Sequence, residues 1–343
     1  MKKKTSKIIL IVVIAILLIV AGAGAYIYSI ISTGFDIDKT VYVYVDDKKD
    51  YNDLLAQIRD SAKVNNAGNF EMISERLGYK DNLRTGRYAI KPGMTVLEAV
   101  RMLRNGNQTP TKLTFNNIRT KDDLAERISE QLMFSKEELL SLLNDKAKCK
   151  ELGFDIQTVV AMFIPNTYEF YWDIHVDTFL SRMEKEYKKF WNENRMSKAK
   201  EMGLTPVQVS TLASIVEEEC FYTDEYPIVA GLYYNRLKRG MLLQADPTVK
   251  FAVGDFSLQR VLNRHLEVNS PYNTYKHTGL PPGPIRIPSI KGIDSVLDYQ
   301  KNDYLYMVAK EDFSGRHNFS KTLAEHNRFA DKYRAALNKR KIY

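Results

Sequence analysis

Residues 205–220 read TPVQVSTLASIVEEEC, and the rest of the chain is organised around them. Thr205 fits the N-cap of a helix, Pro206 its first turn, and Gln208 the capping-box partner that reaches back. Leu212, Ile215 and Val216 follow at spacings of three and four, one face of a helix. At about 100° per residue, Glu219 falls about 20° from Leu212, in the middle of that face. Glu217 and Glu218 fall on its flanks and are expected to meet water. A carboxyl held against apolar neighbours resists ionising, so its pKa rises and it suits general acid catalysis near neutral pH. The plain alternative is a solvated acidic face ending the helix. Carboxylates at a helix C-terminus oppose the macrodipole, however, so helix stability gives no reason for them.

The chain has 343 residues, 44% hydrophobic and 27% charged, enough for two or three globular domains. Of its formal charge of +8, Lys2, Lys3, Lys4 and Lys7 supply four, leaving +4 for the rest. That mild excess suits an anionic polymer or a membrane surface and does not require nucleic acid. From Ile8 to Ile31, 24 residues carry no charge, enough to span a bilayer with some tilt. Lysines before this run and Asp36 and Asp38 after it predict a cytoplasmic tail over 1–7, an anchor over 8–31, and export of the rest. A cleaved signal peptide is the competing reading, because Ala21-Gly22-Ala23 resembles a cleavage site. The apolar run continues past it through Tyr26 and Ile27, which favours an uncleaved anchor. Cys149 and Cys220 in an exported chain can pair, but two thiols make no disulfide framework. His175, His265, His277, His317 and His326 show no metal-ligand spacing, so neither metal nor cofactor is expected.

Lys39 to Val45 alternates as a strand, Asp50 to Lys63 has a helical pattern, Phe70 to Leu77 forms a shorter one, and Gly86 to Ile90 is a second strand. Thr95 to Glu98 is a capping box before Val100 and Leu103, closed by Gly106. These elements make a small domain over 39–110. A mainly helical connector is expected over 111–195, with helices starting at Thr120 and Ser135, a loop at Pro165 to Tyr168 flanked by aromatics, and a helix over Val176 to Phe190. Over 196–343, Asp224 is the expected cap of a helix ending at Gly240. Ser270 to Tyr275 and Gly279 to Ile285 are too rich in Pro, Gly and Asn for helix or strand and suit a loop that holds binding groups. Tyr304 to Ala309 alternates like a strand, His317 to Phe319 follows a Gly turn, and Leu323 to Leu337 closes the chain as a helix.

Four longer stretches carry a resemblance: LASIVEEE (212–219), YNRLKRGMLLQADPTV (234–249), SPYNTYKHTGLPPGPI (270–285) and HNFSKTLAEHN (317–327). Fainter matches cover IPNTYEF (164–170) and GRYAIKPGMTVLEAVRMLRNG (86–106). In this order, and with the anchor, they resemble the YceG-like (MltG) family of membrane-anchored endolytic lytic transglycosylases of bacterial peptidoglycan. The resemblance implies an α+β fold: a single N-terminal transmembrane helix, a small LysM-like domain, and a larger mixed α/β catalytic domain reached through the helical connector. It also implies that Glu219 is the catalytic acid, the residue that helical periodicity singles out independently. Asn166 departs from the family pattern, where Asp is frequent, so no catalytic role is expected there.

Transglycosylase chemistry needs one good acid. Protonating the glycosidic oxygen releases the leaving sugar, and the N-acetylmuramic acid 6-hydroxyl then attacks the anomeric carbon while the same carboxylate takes its proton. An ordinary glycosidase needs two carboxylates. Glu219 is therefore assigned as acid and then base. Gln244, Tyr272, Asn273 and Tyr275 are candidates to orient the sugar or stabilise positive charge. Glu217 stands either behind the acid or on the surface. Asn235 and Arg236 either hold Glu219 or the loop, or are solvated. Asp246 is either a substrate-facing carboxylate or a turn former, and His317 either a substrate contact or a structural residue. The rival functions are a hydrolase in which Asp246 activates water, and a non-catalytic wall-binding scaffold. Expected partners are peptidoglycan glycan strands, the membrane, and cell-wall synthases (penicillin-binding proteins).

Overall fold

The computed structural model describes residues 2–258 and 260–340. Met1, at the head of the expected tail, and residues 341–343, at the end of the expected catalytic segment, lie outside the described residues. Lys2–Ile31 is one helix, and its stretch Ser6–Ile31 is long and apolar enough to cross a membrane by length and composition. The chain divides into two compact units.

The first unit runs to Lys112 and includes residues 131–133 and 169–174. Strand Val41–Val45 pairs antiparallel with Gly86–Ile90, Val41 opposite Ile90 and Val45 opposite Gly86. Between them lie helix Tyr51–Ala56, extended by a π turn over Gln57–Ser61, and helix Ala67–Arg76. Helix Val96–Asn105 follows, with the Thr95–Glu98 capping box formed and Gly106 closing it at φ 71°. The two helices that precede the second strand bury Leu54 and Phe70 with Val43, Tyr88 and Leu103 in one apolar core. Asp173 joins this unit by accepting hydrogen bonds from Thr85 (2.7 Å) and Gln108 (3.0 Å).

The second unit comprises residues 113–130, 134–168 and 175 onward. Helix Pro206–Glu219 is its centre, with the Thr205–Gln208 capping box formed. Helices Glu193–Glu201, Tyr226–Lys238, Asp246–Val253 and Ile290–Leu297 pack around it. All its side chains from Val209 to Glu217 are buried, so the expected water-facing flank does not exist. Ser214 is accommodated there because its Oγ accepts from the backbone N–H of Ile285 at 3.1 Å. Each fully buried Leu, Ile or Val side chain here contributes about 1.5–3 kcal/mol. Strand Tyr306–Ala309 pairs antiparallel with His317–Ser320, and helix Leu323–Lys339 packs on that hairpin.

Several local expectations need correction. Asp224 does not cap the second helix; Glu225 precedes Tyr226–Lys238, and Asp224 pairs instead with Arg316 at 2.9 Å. The loop expected at Pro165 to Tyr168 gives way to strand Thr167–Phe170, and a second short strand, Thr111–Thr114, also lies in the stretch expected to be mainly helical. Both strands are rich in the β-branched and aromatic residues that suit a half-buried pleat. Asp246 opens a helix, Asp246–Val253, with Pro247 in its first turn. Cys149 and Cys220 are both free and buried.

Candidate active site

Helix Pro206–Glu219 ends on Glu219, and Cys220 caps it. Its partner, Tyr226–Lys238, presents Tyr233 and Arg236, three residues apart and therefore on one face. These three side chains meet Gln244, Asp246, Tyr275 and His317 around a cavity of about 250 Å³. Thus a helix end, a neighbouring helix, two loops and a hairpin strand each supply part of one site.

The Tyr233 hydroxyl donates to Oε1 of Glu219 at 3.1 Å. Enough protein surrounds the Glu219 carboxyl to strip most of its water, and burial raises its pKa to about 7. The nearby charge of Asp246 adds to the rise, while the Tyr233 hydrogen bond, Arg236 and Lys250 oppose it. A carboxyl poised there carries a proton at neutral pH for much of the time and gives it up readily.

Arg236 is buried and fixed. Its Nε donates to the Leu305 carbonyl at 2.6 Å, and one terminal nitrogen donates to the carbonyls of Leu243 (2.7 Å) and Leu242 (3.3 Å). It therefore holds a cationic charge at the cavity and ties its two walls together. Gln244 adopts φ 51°, a left-handed conformation that costs a non-glycine residue of order 1–3 kcal/mol. The surrounding bonds hold it: its N–H donates to the Thr274 carbonyl at 3.1 Å, and Thr274 Oγ1 accepts from Ala245 N–H at 3.0 Å. The polar loop is thereby stapled to the start of the Asp246 helix. The Tyr275 hydroxyl donates to Oδ1 of Asp246 at 2.6 Å, and burial pushes its own pKa upward.

His317 opens its strand against buried Glu225, which accepts from the His317 backbone N–H at 3.0 Å and sits 3.0 Å from its Nδ1. That pairing fixes the ring and leaves Nε2 as the nitrogen not engaged by Glu225. No sequence signal pointed to Glu225 or to Tyr233; both act across the fold, 92 and 14 residues from their partners. Tyr233 was nonetheless findable, since it lies one helical turn before the candidate Arg236.

The remaining candidates stand outside the cavity lining. Asn235 donates to the carbonyls of Asn302 (2.9 Å) and Tyr304 (3.1 Å), pinning the segment that leads into the hairpin. Asn273 is fully buried and clamps the polar loop, donating to the carbonyls of Leu266 (2.8 Å) and Val268 (2.9 Å). Tyr272 packs on Phe251 with ring centroids 4.8 Å apart, and burial pushes its pKa to about 12. Glu217 is buried on the far flank, where it accepts from the backbone and hydroxyl of Ser289 at the start of helix Ile290–Leu297. The helix N-terminus favours the carboxylate there. Glu218 pairs with Arg119 (2.9 Å) and Arg286 (2.7 Å). Among the described residues, no three His, Cys, Asp or Glu side chains cluster as a metal site.

The YceG-like family pattern matches residues 43–332. An endolytic murein transglycosylase of Bacillus subtilis (strain 168) is 31% identical over 273 residues, 75% of each chain. A protein of the same name from Streptococcus pneumoniae (strain D39) is 36% identical over 138 residues, 39% of this chain and 24% of that one. The crystal structure of a YceG-like protein from Listeria monocytogenes superposes with a TM-score of 0.56 at 29% identity, covering 84% of this chain and 99% of the other.

Proposed function

The chain belongs to the YceG-like family, and from that premise we propose that it is a membrane-anchored endolytic lytic transglycosylase of nascent peptidoglycan. The observation that carries the reading is Glu219, a carboxyl with its pKa lifted to about 7 at a polar cavity. Protonated Glu219 gives its proton to the oxygen between N-acetylmuramic acid C1 and the next N-acetylglucosamine, and that C–O bond breaks. The carboxylate then takes the proton of the muramic acid 6-hydroxyl as its oxygen bonds to C1. The product is a 1,6-anhydro end, and no water is consumed. Acid–base help of this kind is worth roughly 10²–10⁴-fold.

Asp246, aimed by the Tyr275 hydroxyl, supplies negative charge for the cationic anomeric centre. Arg236, Gln244 and His317 offer hydrogen-bonding groups around the same cavity. Residues 8–31 serve as the anchor, with residues 1–7 as a cytoplasmic tail and the chain after the anchor outside the cytoplasm: residues 39–110 as a LysM-like glycan-binding domain, 111–195 as connector and 196–343 as the catalytic part. That location places cleavage where new strands emerge, beside the synthases.

One observation favours a second reading: Asp246 shares the cavity with Glu219, the pairing a hydrolase needs to activate water. The products decide. The full chain in detergent, beside Glu219→Gln, would be incubated with uncrosslinked glycan strands and the products weighed by mass spectrometry. Ends lighter by one water, absent with Glu219→Gln, support the transglycosylase. Ordinary reducing ends would replace it with the hydrolase.

A further inference from the structure

Two residues beyond Glu219, the chain exposes a pair of aromatic rings that the site does not use. Phe221 is 82% exposed and Tyr222 36%. Their rings meet edge to face, 5.0 Å apart at 79°. The segment is tied at both ends: Cys220 is buried with its N–H on the Val216 carbonyl at 3.2 Å, and buried Glu225 donates its N–H to the Tyr222 carbonyl at 3.2 Å. The rings therefore stand on a braced turn.

The second strand of the cavity wall braces them from the other side. The Arg316 guanidinium lies over the Tyr222 ring, 4.4 Å from its centroid, and is itself fixed by Asp224 at 2.9 Å. Gly315 turns the chain in the left-handed region at φ 77°, next to the two rings, where a Cβ would make only ordinary contact with Tyr222 (3.6 Å) and Phe221 (4.0 Å). Arg316 immediately precedes His317, which lines the cavity. Both attachments of the aromatic pair, through Glu219 and through His317, thus lead to the site. Tyr222 is partly covered by Arg316, whereas Phe221, 82% exposed, adds nothing to the core and leaves an aromatic face open to a ligand beside the cavity.

We infer that Phe221 and Tyr222 form a stacking platform for a further sugar ring of the glycan strand, outside the cavity. This inference rests on the transglycosylase reading. The cavity, about 250 Å³, is smaller than the roughly 300–1,000 Å³ that encloses a drug-sized ligand. It takes the reacting part of a polymer, and a strand cut internally must leave across the rim. A pyranose presents a face of C–H bonds, apolar and slightly positive, which matches the negative face of an aromatic ring. Phe221 and Tyr222 offer such faces with their positions already fixed.

The test uses the full chain in detergent with Phe221→Ala, Tyr222→Ala and Phe221→Trp, on long uncrosslinked strands and on a murein tetrasaccharide. Losing a stacked ring raises KM for long strands about tenfold, reduces the preference for long strands over the tetrasaccharide, and leaves kcat on long strands much less affected. Phe221→Trp keeps the aromatic face and retains the wild-type KM. An unchanged KM for long strands in Phe221→Ala overturns the platform, and so does a loss confined to binding of anionic lipid vesicles. Failure of the transglycosylase reading itself would show differently, as wild-type protein that yields no 1,6-anhydro ends. The platform is then tested by binding of labelled strands to Glu219→Gln with and without Phe221→Ala: weaker binding supports it, equal binding overturns it.

Discussion

The Tyr233 hydroxyl and the Glu219 carboxyl are joined by a 3.1 Å hydrogen bond that works against protonation of the carboxyl proposed as the acid. An O–H donor favours the ionised carboxylate and so lowers a pKa that burial has raised to about 7. Tyr233→Phe removes the donor and keeps the ring. The acid then holds its proton longer, so the fall of kcat/KM at high pH moves upward by about one unit. A pH–rate profile of the two proteins checks this, and an unmoved midpoint would remove Tyr233 from the tuning of the acid.

Asp246→Asn should move the same limb the other way. The charge of Asp246 raises the Glu219 pKa, so its removal lets Glu219 ionise at lower pH. Asn still accepts the Tyr275 hydrogen bond, which keeps the local geometry. The cationic anomeric centre loses its nearby negative charge, and kcat should fall roughly 10²-fold. A profile shifted upward would contradict both the electrostatics and the assigned role.

Glu219→Gln should abolish cleavage and yet strengthen the fold at high pH. The folded-state pKa is about 7, against 4.5 for the ordinary group. Unfolded chains therefore release this proton at a pH where the native state still holds it. Stability is fully present below pH 4.5 and is lost as pH rises through about 7. The loss approaches about 3 kcal/mol, and Gln does not suffer it. Denaturant unfolding at pH 4 should find the two proteins alike; at pH 8.5 the variant should be the more stable. Equal stability at both would mean that water reaches the carboxyl freely.

Gly292 is a helix residue at which alanine should be harmful. Alanine normally stabilises a helix interior by about 0.5–1 kcal/mol over glycine. Here its Cβ would lie 2.1 Å from Oε1 of Glu217, a buried carboxylate held by Ser289. Gly292→Ala should cost about 1–3 kcal/mol, read as a lower melting temperature, while the midpoint of the pH–rate profile stays where it was. A gain in stability would mean that Glu217 moves aside easily.

Much of the fold was legible wherever it rests on neighbours in sequence. The capping boxes expected at Thr95 and Thr205 formed, and the helices expected to start at Thr120 and Ser135 do so, each with a capping box, because an N-cap and its partner lie three residues apart. Strand Gly86–Ile90 and helix Val176–Phe190 have their expected bounds for the same reason: local periodicity defines them. Distance along the chain defeats such signals. Glu217 has the pattern of a solvated flank, and only Ser289, 72 residues on, turns it into a buried group. Asp246 has the look of a turn former because an eight-residue helix offers too few turns to establish a period. A bracing role was open to Asn235 from the sequence, but not its partners around Asn302. Asn273 was expected to face the sugar, since the carbonyls of Leu266 and Val268 that it holds are announced by no side-chain pattern.

Three adjacent glutamates thus have different employments, although the first two share Arg286, at 3.6 and 2.7 Å. Glu217 anchors the start of another helix, Glu218 joins two arginines, and Glu219 faces the cavity. An alanine scan scored by activity alone would mix effects on folding with effects on chemistry and invite the conclusion that the whole triplet is catalytic. Yield and melting temperature sort them: the variant at 217, which strips a buried group from Ser289, should lose the most stability, the variant at 218 less, and the variant at 219 should lose activity while remaining folded. The same reasoning applies to natural variants, where an acid exchanged at 217 acts on the packing against Ser289 and leaves Glu219 in place.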